Sequence, residues 1–236
     1  MTLMDLRDVY RKIPHRYEST NHLLTFGLDI IWRRIAAGAA VRAAGGHLWL
    51  DMCSGTGETA LLLSRRSPAG TTVISADFSV PMLLEGVKRR GRNTFVPAAA
   101  SADALPFPDG TFDLVTVTFA ARNLRSRTGL FGGSLREIRR VLKPGGRLLC
   151  LEFSTPAAPL RPFYEAYNRH VIPRLGAMVA RHPDAYHYLI ESIRRFPDQE
   201  EMKRLLEAQR FTDVYYRNYS FGIACLHVAS RPGNAG

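Results

Sequence analysis

The chain has 236 residues, 46% of them hydrophobic and 22% charged, which suits one domain with a large buried core and excludes a disordered or fibrous protein. No apolar run approaches the roughly 18 residues of a membrane span. Met1–Lys12 lacks an apolar signal core, and the three cysteines are far apart, which argues against export, zinc and disulfides and for a reducing cytoplasm. The net charge of +11 is spread over scattered arginine pairs, Arg33-Arg34 and Arg139-Arg140 among them, and there is no basic tail. That pattern suits solvated helix faces or an anionic membrane surface better than nucleic acid.

Residues 1–44 read as a helical segment interrupted near Pro14, with 22–44 as one helix-rich stretch ending at Gly45-Gly46. His47–Met52 is a short apolar strand. Thr59–Arg66 has helical spacing, and Thr71–Ala76 is a β-branched strand ending at Asp77. Ser79 can cap a helix that carries Pro81 in its first turn and runs to about Arg90. Thr94–Ala98 is a third strand, Ala104–Gly110 a loop, and Phe112–Phe119 a fourth strand. Leu130–Leu142 is an amphipathic helix stopped by Lys143-Pro-Gly-Gly146, and Arg147–Phe153 is a fifth strand. Residues 156–197, rich in Pro, Tyr and His, break the alternation as a helical cap. Gln199–Gln209 is a helix, and Val214–Ser220 and Gly222–Ser230 form an antiparallel hairpin. The whole predicts a single α/β domain: a doubly wound, mostly parallel, seven-stranded sheet closed by that hairpin.

Gly55-Thr-Gly57-Glu-Thr-Ala60 fits G-x-G-x-x-A, which also matches a dinucleotide fingerprint. The charges around it discriminate. A pyrophosphate is drawn to a helix N-terminus, yet Asp51 sits at the strand tip and Glu58 at the helix start. Two carboxylates there suit a cationic ligand without phosphate, such as S-adenosylmethionine. Asp77 can accept both ribose hydroxyls, or alternatively cap the next helix. Asp103 can accept from an adenine amino group, or simply be solvated. One acid at the end of each of the first three strands falls where open α/β sheets bind ligands.

With these residues in view, the sequence resembles the ubiquinone/menaquinone biosynthesis C-methyltransferase family of class I, Rossmann-like methyltransferases. The matching stretches include Tyr17-Glu-Ser-Thr-Asn21 with Trp32-Arg-Arg, Asp51-Met-Cys-Ser-Gly-Thr-Gly57, Ala102-Asp-Ala-Leu-Pro-Phe-Pro-Asp109, Phe119-Ala-Ala-Arg-Asn123 and Glu191-Ser-Ile-Arg194 with Pro197-Asp-Gln199. It departs from the family pattern at Glu18 (usually Asp), at Thr20 (usually Met), around Asp29 (a His before the Trp) and at Cys53-Ser54.

The resemblance implies S-adenosylmethionine as cofactor, held by Asp51, Gly55, Gly57, Thr59, Asp77, Ser101, Ala102, Asp103 and Thr118. It implies methylation of a ring carbon of a reduced polyprenyl quinone precursor, with no metal. Arg122 would stabilise a developing phenolate and Asn123 orient a ring oxygen; alternatively Arg122 pairs with a loop acid. Tyr17 and Asn21 would close over the pocket, or merely pack a docked helix. His15, His170, His182 and His187 are candidates for the base. The aromatics Phe163, Tyr164, Tyr167, Tyr186 and Tyr188 read as core more than as a prenyl groove. A polyprenyl substrate implies work at a membrane, at the inner face of the cell membrane. Other small molecules or RNA on the same fold, and an NAD-binding oxidoreductase or regulator, are the rivals; no nucleic-acid partner is expected. The choice of quinone and the oligomeric state, a homodimer included, stay open.

Overall fold

The computed structural model describes residues 17–90, 94–126, 129–130, 132–172, 174 and 192–233. Two N-terminal helices, α1 (Tyr17–Leu24) and α2 (Leu28–Ala43), precede β1 (Leu48–Met52), α3 (Glu58–Arg66), β2 (Thr72–Asp77), α4 (Val80–Arg90), β3 (Val96–Ala99) and β4 (Phe112–Thr118). After a 3-10 turn at Ala121–Asn123 come the two-residue strands β5 (Arg125–Ser126) and β6 (Gly129–Leu130), then α5 (Gly132–Val141) and β7 (Leu142–Phe153). Beyond them lie α6 (Arg161–Ala166), a π-helical turn (Tyr167–Val171), α7 (Gln199–Ala208), β8 (Thr212–Tyr219) and β9 (Ala224–Ser230).

The main sheet has seven strands in the order β3-β2-β1-β4-β7-β9-β8; β5 and β6 pair separately. The first five strands of the sheet run parallel, while β9 is antiparallel to both β7 and β8. The hairpin is therefore as expected, joined by a 3-10 turn at Ser220–Gly222. Alternation along the strands divides the core. Leu50, Val115, Leu148 and Cys150 face a core with α5 and α7, while Trp49, Leu114, Leu149 and Leu151 face one with α2 and α3. Helices thus cover both faces, which is why the central strands read as nearly continuous apolar runs. Strand order reverses between β1 and β4, so a crevice opens at their carboxyl ends.

Besides the unexpected β5–β6 pair, which puts Leu130 in a strand and starts α5 at Gly132 rather than Leu130, two elements differ from expectation. The 22–44 stretch is broken at Thr25–Gly27, where Phe26 (φ 51°) and Gly27 (φ 75°) are left-handed. Gly27 N–H bonds to the His22 carbonyl at 2.7 Å and Phe26 N–H to the Leu23 carbonyl at 3.2 Å. That pairing is a Schellman stop, and it ends α1 with Phe26 turned out to solvent. The second difference is β7, which begins at Leu142 rather than Arg147. Leu142 pairs with Phe112, the Lys143–Gly146 turn bulges out, and pairing resumes at Leu114 with Arg147. Residues 1–16, and 175–191 of the expected cap, lie outside the described residues.

Candidate active site

The crevice floor is the loop after β1, where Cys53, Gly55 and Gly57 all have positive φ. For the glycines this left-handed backbone carries no Cβ penalty. Asp77 fastens the loop to the next strand: its Oδ2 accepts the Gly55 N–H and its Oδ1 the Ser79 N–H, both at 2.8 Å. Asp77, not Ser79, therefore serves the start of α4. The expected Ser79 cap is not made, and its Oγ is buried without a partner. The Phe78 N–H also draws on the Asp77 carboxylate, whose two oxygens together offer about four acceptor sites. Burial pushes its carboxyl above the ordinary range, against the pull of the Ser79 and Gly55 N–H groups.

Asp51 is less exposed than the sequence suggests. It is the penultimate residue of β1 and fully buried, with Oδ1 accepting the Thr116 hydroxyl at 2.7 Å from the neighbouring strand. Its Oδ2 has no hydrogen-bond partner. Burial lifts the carboxyl to about 7, opposed by the Thr116 hydroxyl and the Arg33 charge. Asp103 is exposed and accepts the Ser134 hydroxyl at 2.6 Å. Ser101, also exposed, bridges to Ala104, and half-buried Ala102 packs on the core. The acids converge: burial, then Asp77, Asp51 and Asp103, hold the Cys53 thiol well above its usual range.

The wall above the loop comes from the N-terminal helices. Its main residue, Arg33, reads in sequence as one of the solvated arginine pairs, but it is buried. Its Nη1 donates to the hydroxyls of Thr59 (3.1 Å) and Thr118 (3.0 Å), which lie 2.7 Å from each other. Those two residues therefore meet the guanidinium. Arg33 Nε lies 3.6 Å from Glu58 and 3.9 Å from Asp29, and the guanidinium stacks over Phe119. A signal for its burial was present: Asp29, Trp32, Arg33, Ala36, Ala37 and Ala40 recur at three- and four-residue spacing, and all six are buried. His22 bridges two of the acids, with Nδ1 2.9 Å from Asp29 and Nε2 3.2 Å from Glu58.

Beside this wall lies a cavity of about 270 Å³ between α1, α2, the end of β4 and the α6 region. Its lining is mostly apolar, including Trp32, Phe119 and Phe153, whose rings pack together. Polar groups enter at Asn21, Asp29, Arg33, Arg122 and Asn168. Asn168 is 4% exposed, and its Oδ1 has no partner. Arg122 pairs with an acid, as the alternative had it, but the acid is Glu152 on β7 rather than a loop residue. Nη1 is 2.7 Å from Glu152 Oε1 and donates to the Phe119 carbonyl at 2.7 Å. The Arg122 N–H also reaches Glu152, at 3.2 Å.

Asn123 does not line the cavity, although Arg122 does. Asn21 lines it; Tyr17 opens α1. Phe163, Tyr164 and Tyr167 line it too, correcting the expectation of simple core. His170 is exposed and is not among the lining residues. His15, His182, His187, Tyr186 and Tyr188 lie outside the described residues.

Comparison with known proteins bears on the family and the fold. The model of the ubiE/COQ5 methyltransferase family matches residues 3–231. The "Ubiquinone/menaquinone biosynthesis C-methyltransferase UbiE" of Rubrivivax gelatinosus is 44% identical over 230 residues, covering 98% of this chain and 88% of the relative. That of Serratia proteamaculans is 40% identical, covering 93% and 88%. Among solved structures, a SAM-dependent methyltransferase from Thermotoga maritima superposes with a TM-score of 0.62 at 17% identity, covering 94% of this chain and 99% of that one. Phosphoethanolamine N-methyltransferase 2 of Haemonchus contortus, in complex with S-adenosyl-L-methionine, gives 0.59 at 15% identity, covering 83% and 52%. The protein belongs to the ubiE/COQ5 methyltransferase family and has the S-adenosylmethionine-dependent methyltransferase fold.

Proposed function

We propose that the protein methylates a ring carbon of a reduced polyprenyl quinone precursor, with S-adenosylmethionine as the methyl donor. The observation that carries the substrate half is the apolar cavity at the carboxyl end of β4, which holds a buried amide oxygen without a partner and a buried arginine. A hydroquinone ring supplies what that lining lacks: a flat apolar body and a hydroxyl to donate to Asn168 Oδ1.

The cofactor half rests on the donor set at the loop. The orphaned Asp51 oxygen and the raised Asp77 and Glu58 carboxyls suit a cationic, phosphate-free ligand. Asp51 and the Gly55–Gly57 backbone would hold the amino-acid end, Asp77 the ribose and Asp103 with Ala102 the base. The sulfonium supplies an already activated methyl. The protein's own residues must then orient the ring, exclude water and manage the phenolic proton. Arg122, fixed by Glu152, places positive charge beside the ring as density builds on its oxygen.

The tail places this chemistry at a membrane surface. Among the described residues, no helix is long and apolar enough to cross a bilayer. Phe26 and Phe163, 74% and 73% exposed, border the cavity, and the 161–174 stretch presents Arg161, Arg169 and Arg174 against Glu165. Phenylalanines at the bilayer boundary and arginines on anionic headgroups fit that arrangement. The test is incubation with labelled S-adenosylmethionine and one short-chain quinone, offered reduced and oxidised. Label enters the reduced ring; equal labelling of both forms contradicts the proposal.

A further inference from the structure

Of the candidate histidines of the sequence, His170 does not line the cavity, and His15, His182 and His187 lie outside the described residues. The carboxylate among the lining residues is Asp29, which is 2% exposed and borders the space where the ring would lie. Its two oxygens are held in place. Oδ1 accepts the Thr25 hydroxyl at 2.6 Å, and Oδ2 lies 2.9 Å from His22 Nδ1. The other nitrogen of the imidazole meets Glu58 at 3.2 Å, and the His22 side chain keeps 27% of its surface in solvent. An unbroken path therefore runs from the cavity, through Asp29 and His22, to water.

The three groups His22, Asp29 and Glu58 sit close enough to suggest a metal. Arg33 already faces both carboxylates at 3.6 and 3.9 Å and takes that electrostatic role. Two carboxylates against one guanidinium leave one negative charge, so with the imidazole the set can take up a proton at the cavity end and release it at the solvent end.

Resting on the quinol reading above, we propose that Asp29 is the catalytic proton acceptor and that His22 is a positioning residue that carries the proton out. As the ring carbon takes the methyl, the hydroxyl becomes the O–H of a protonated carbonyl, a strong acid whose proton a carboxylate accepts. The O–H bond breaks with its electron pair staying on oxygen, and a new O–H bond forms on Asp29. That proton passes to His22 and to solvent. The hydrogen on the methylated carbon then moves through water to the carbonyl oxygen and restores the aromatic ring. One proton leaves per turnover, as replacement of a ring hydrogen by methyl requires.

The test compares wild type, Asp29→Asn and His22→Gln on two quinols: one neutral at the assay pH, and one made acidic enough to be ionised. For the neutral quinol, Asp29→Asn lowers kcat by about 100-fold or more, and the residual rate rises with pH as the substrate itself ionises. For the ionised quinol the loss shrinks to within about tenfold. His22→Gln lowers kcat with little change in KM, and added imidazole restores part of it through the exposed site. Melting midpoints of both variants stay well above the assay temperature, which separates lost chemistry from lost folding. Equal losses on the two quinols, or full activity in Asp29→Asn, overturn the assignment of Asp29; absence of imidazole rescue overturns that of His22. A wild-type enzyme that labels no quinol overturns the quinol reading and this inference together.

Discussion

Glu18 on α1 accepts a hydrogen bond from the Thr56 hydroxyl, 38 residues away in the loop after β1. Its other oxygen lies 3.2 Å from Arg89 on α4, so one side chain pins the N-terminal helix over the glycine loop. Closing a site this way excludes water and preorganises the loop. Glu18→Ala is expected to weaken S-adenosylhomocysteine binding about tenfold, roughly 1.4 kcal/mol, measured by titration calorimetry. Unchanged affinity would show that α1 packs without serving the loop.

Binding of the cofactor or its product should depend on pH with a definite sign. Asp51 has its carboxyl at about 7 in the protein alone, against an ordinary 3.8. A cation beside it favours the ionised form, so its pKa falls on binding. Affinity is then full above about 7 and is lost as pH falls through that value, by up to about tenfold per unit. Asp77 and Glu58, raised in the same direction, add the same sign. The same shift makes the protein alone less stable as pH rises from about 4 to about 7, because the folded state holds the extra proton. Asp51→Asn flattens the pH dependence of affinity, and dissociation constants measured across that range check it.

Arg122 and Glu152 are both buried, with side chains 6% and 2% exposed. Removing one partner strands the other charge, at a cost of about 3–5 kcal/mol. Glu152→Ala should therefore lower the melting temperature by about 10 °C, while Glu152→Gln, which keeps an acceptor for the guanidinium, loses less stability and chiefly lowers kcat. Calorimetric melting of the two variants decides; equal, small shifts would mean that the pair contributes little.

The parts of this site that depend on one stretch of sequence were legible there. Asp51, Asp77 and the glycines announce themselves by lying at strand ends, and the apolar runs of β1 and β4 by burial on both faces. What failed depends on distant pairing. Glu152 partners Arg122 because Leu151 lies opposite Thr118 in the β4–β7 register, which brings the end of β7 against the turn after β4. The spacing along α2 marks Arg33 for the buried face, but its partners Thr59 and Thr118 emerge only when α2 is laid against α3 and the end of β4. The aromatics Tyr164 and Tyr167 look like core until the Phe26–Gly27 stop bends α1 away and leaves a cavity between them.

The arginines of the 161–174 stretch should matter for lipid and not for chemistry. Arg161→Glu with Arg169→Glu is expected to reduce co-sedimentation with anionic vesicles several-fold at low salt, each arginine contributing about 1 kcal/mol near the surface. Activity on a water-soluble short-chain quinol stays at the wild-type level. Vesicle binding that is unaffected by the substitutions or by salt contradicts this surface.

The most direct measurement is transfer of labelled methyl from S-adenosylmethionine to a short-chain demethylmenaquinol, beside a benzoquinol analogue and bulk RNA, under reducing conditions. Label on a ring carbon of either quinol, with none in RNA, is the predicted result and names the ring. Label in RNA, or in neither quinol while S-adenosylhomocysteine still binds, would contradict the quinol assignment and leave the fold and cofactor site without this substrate.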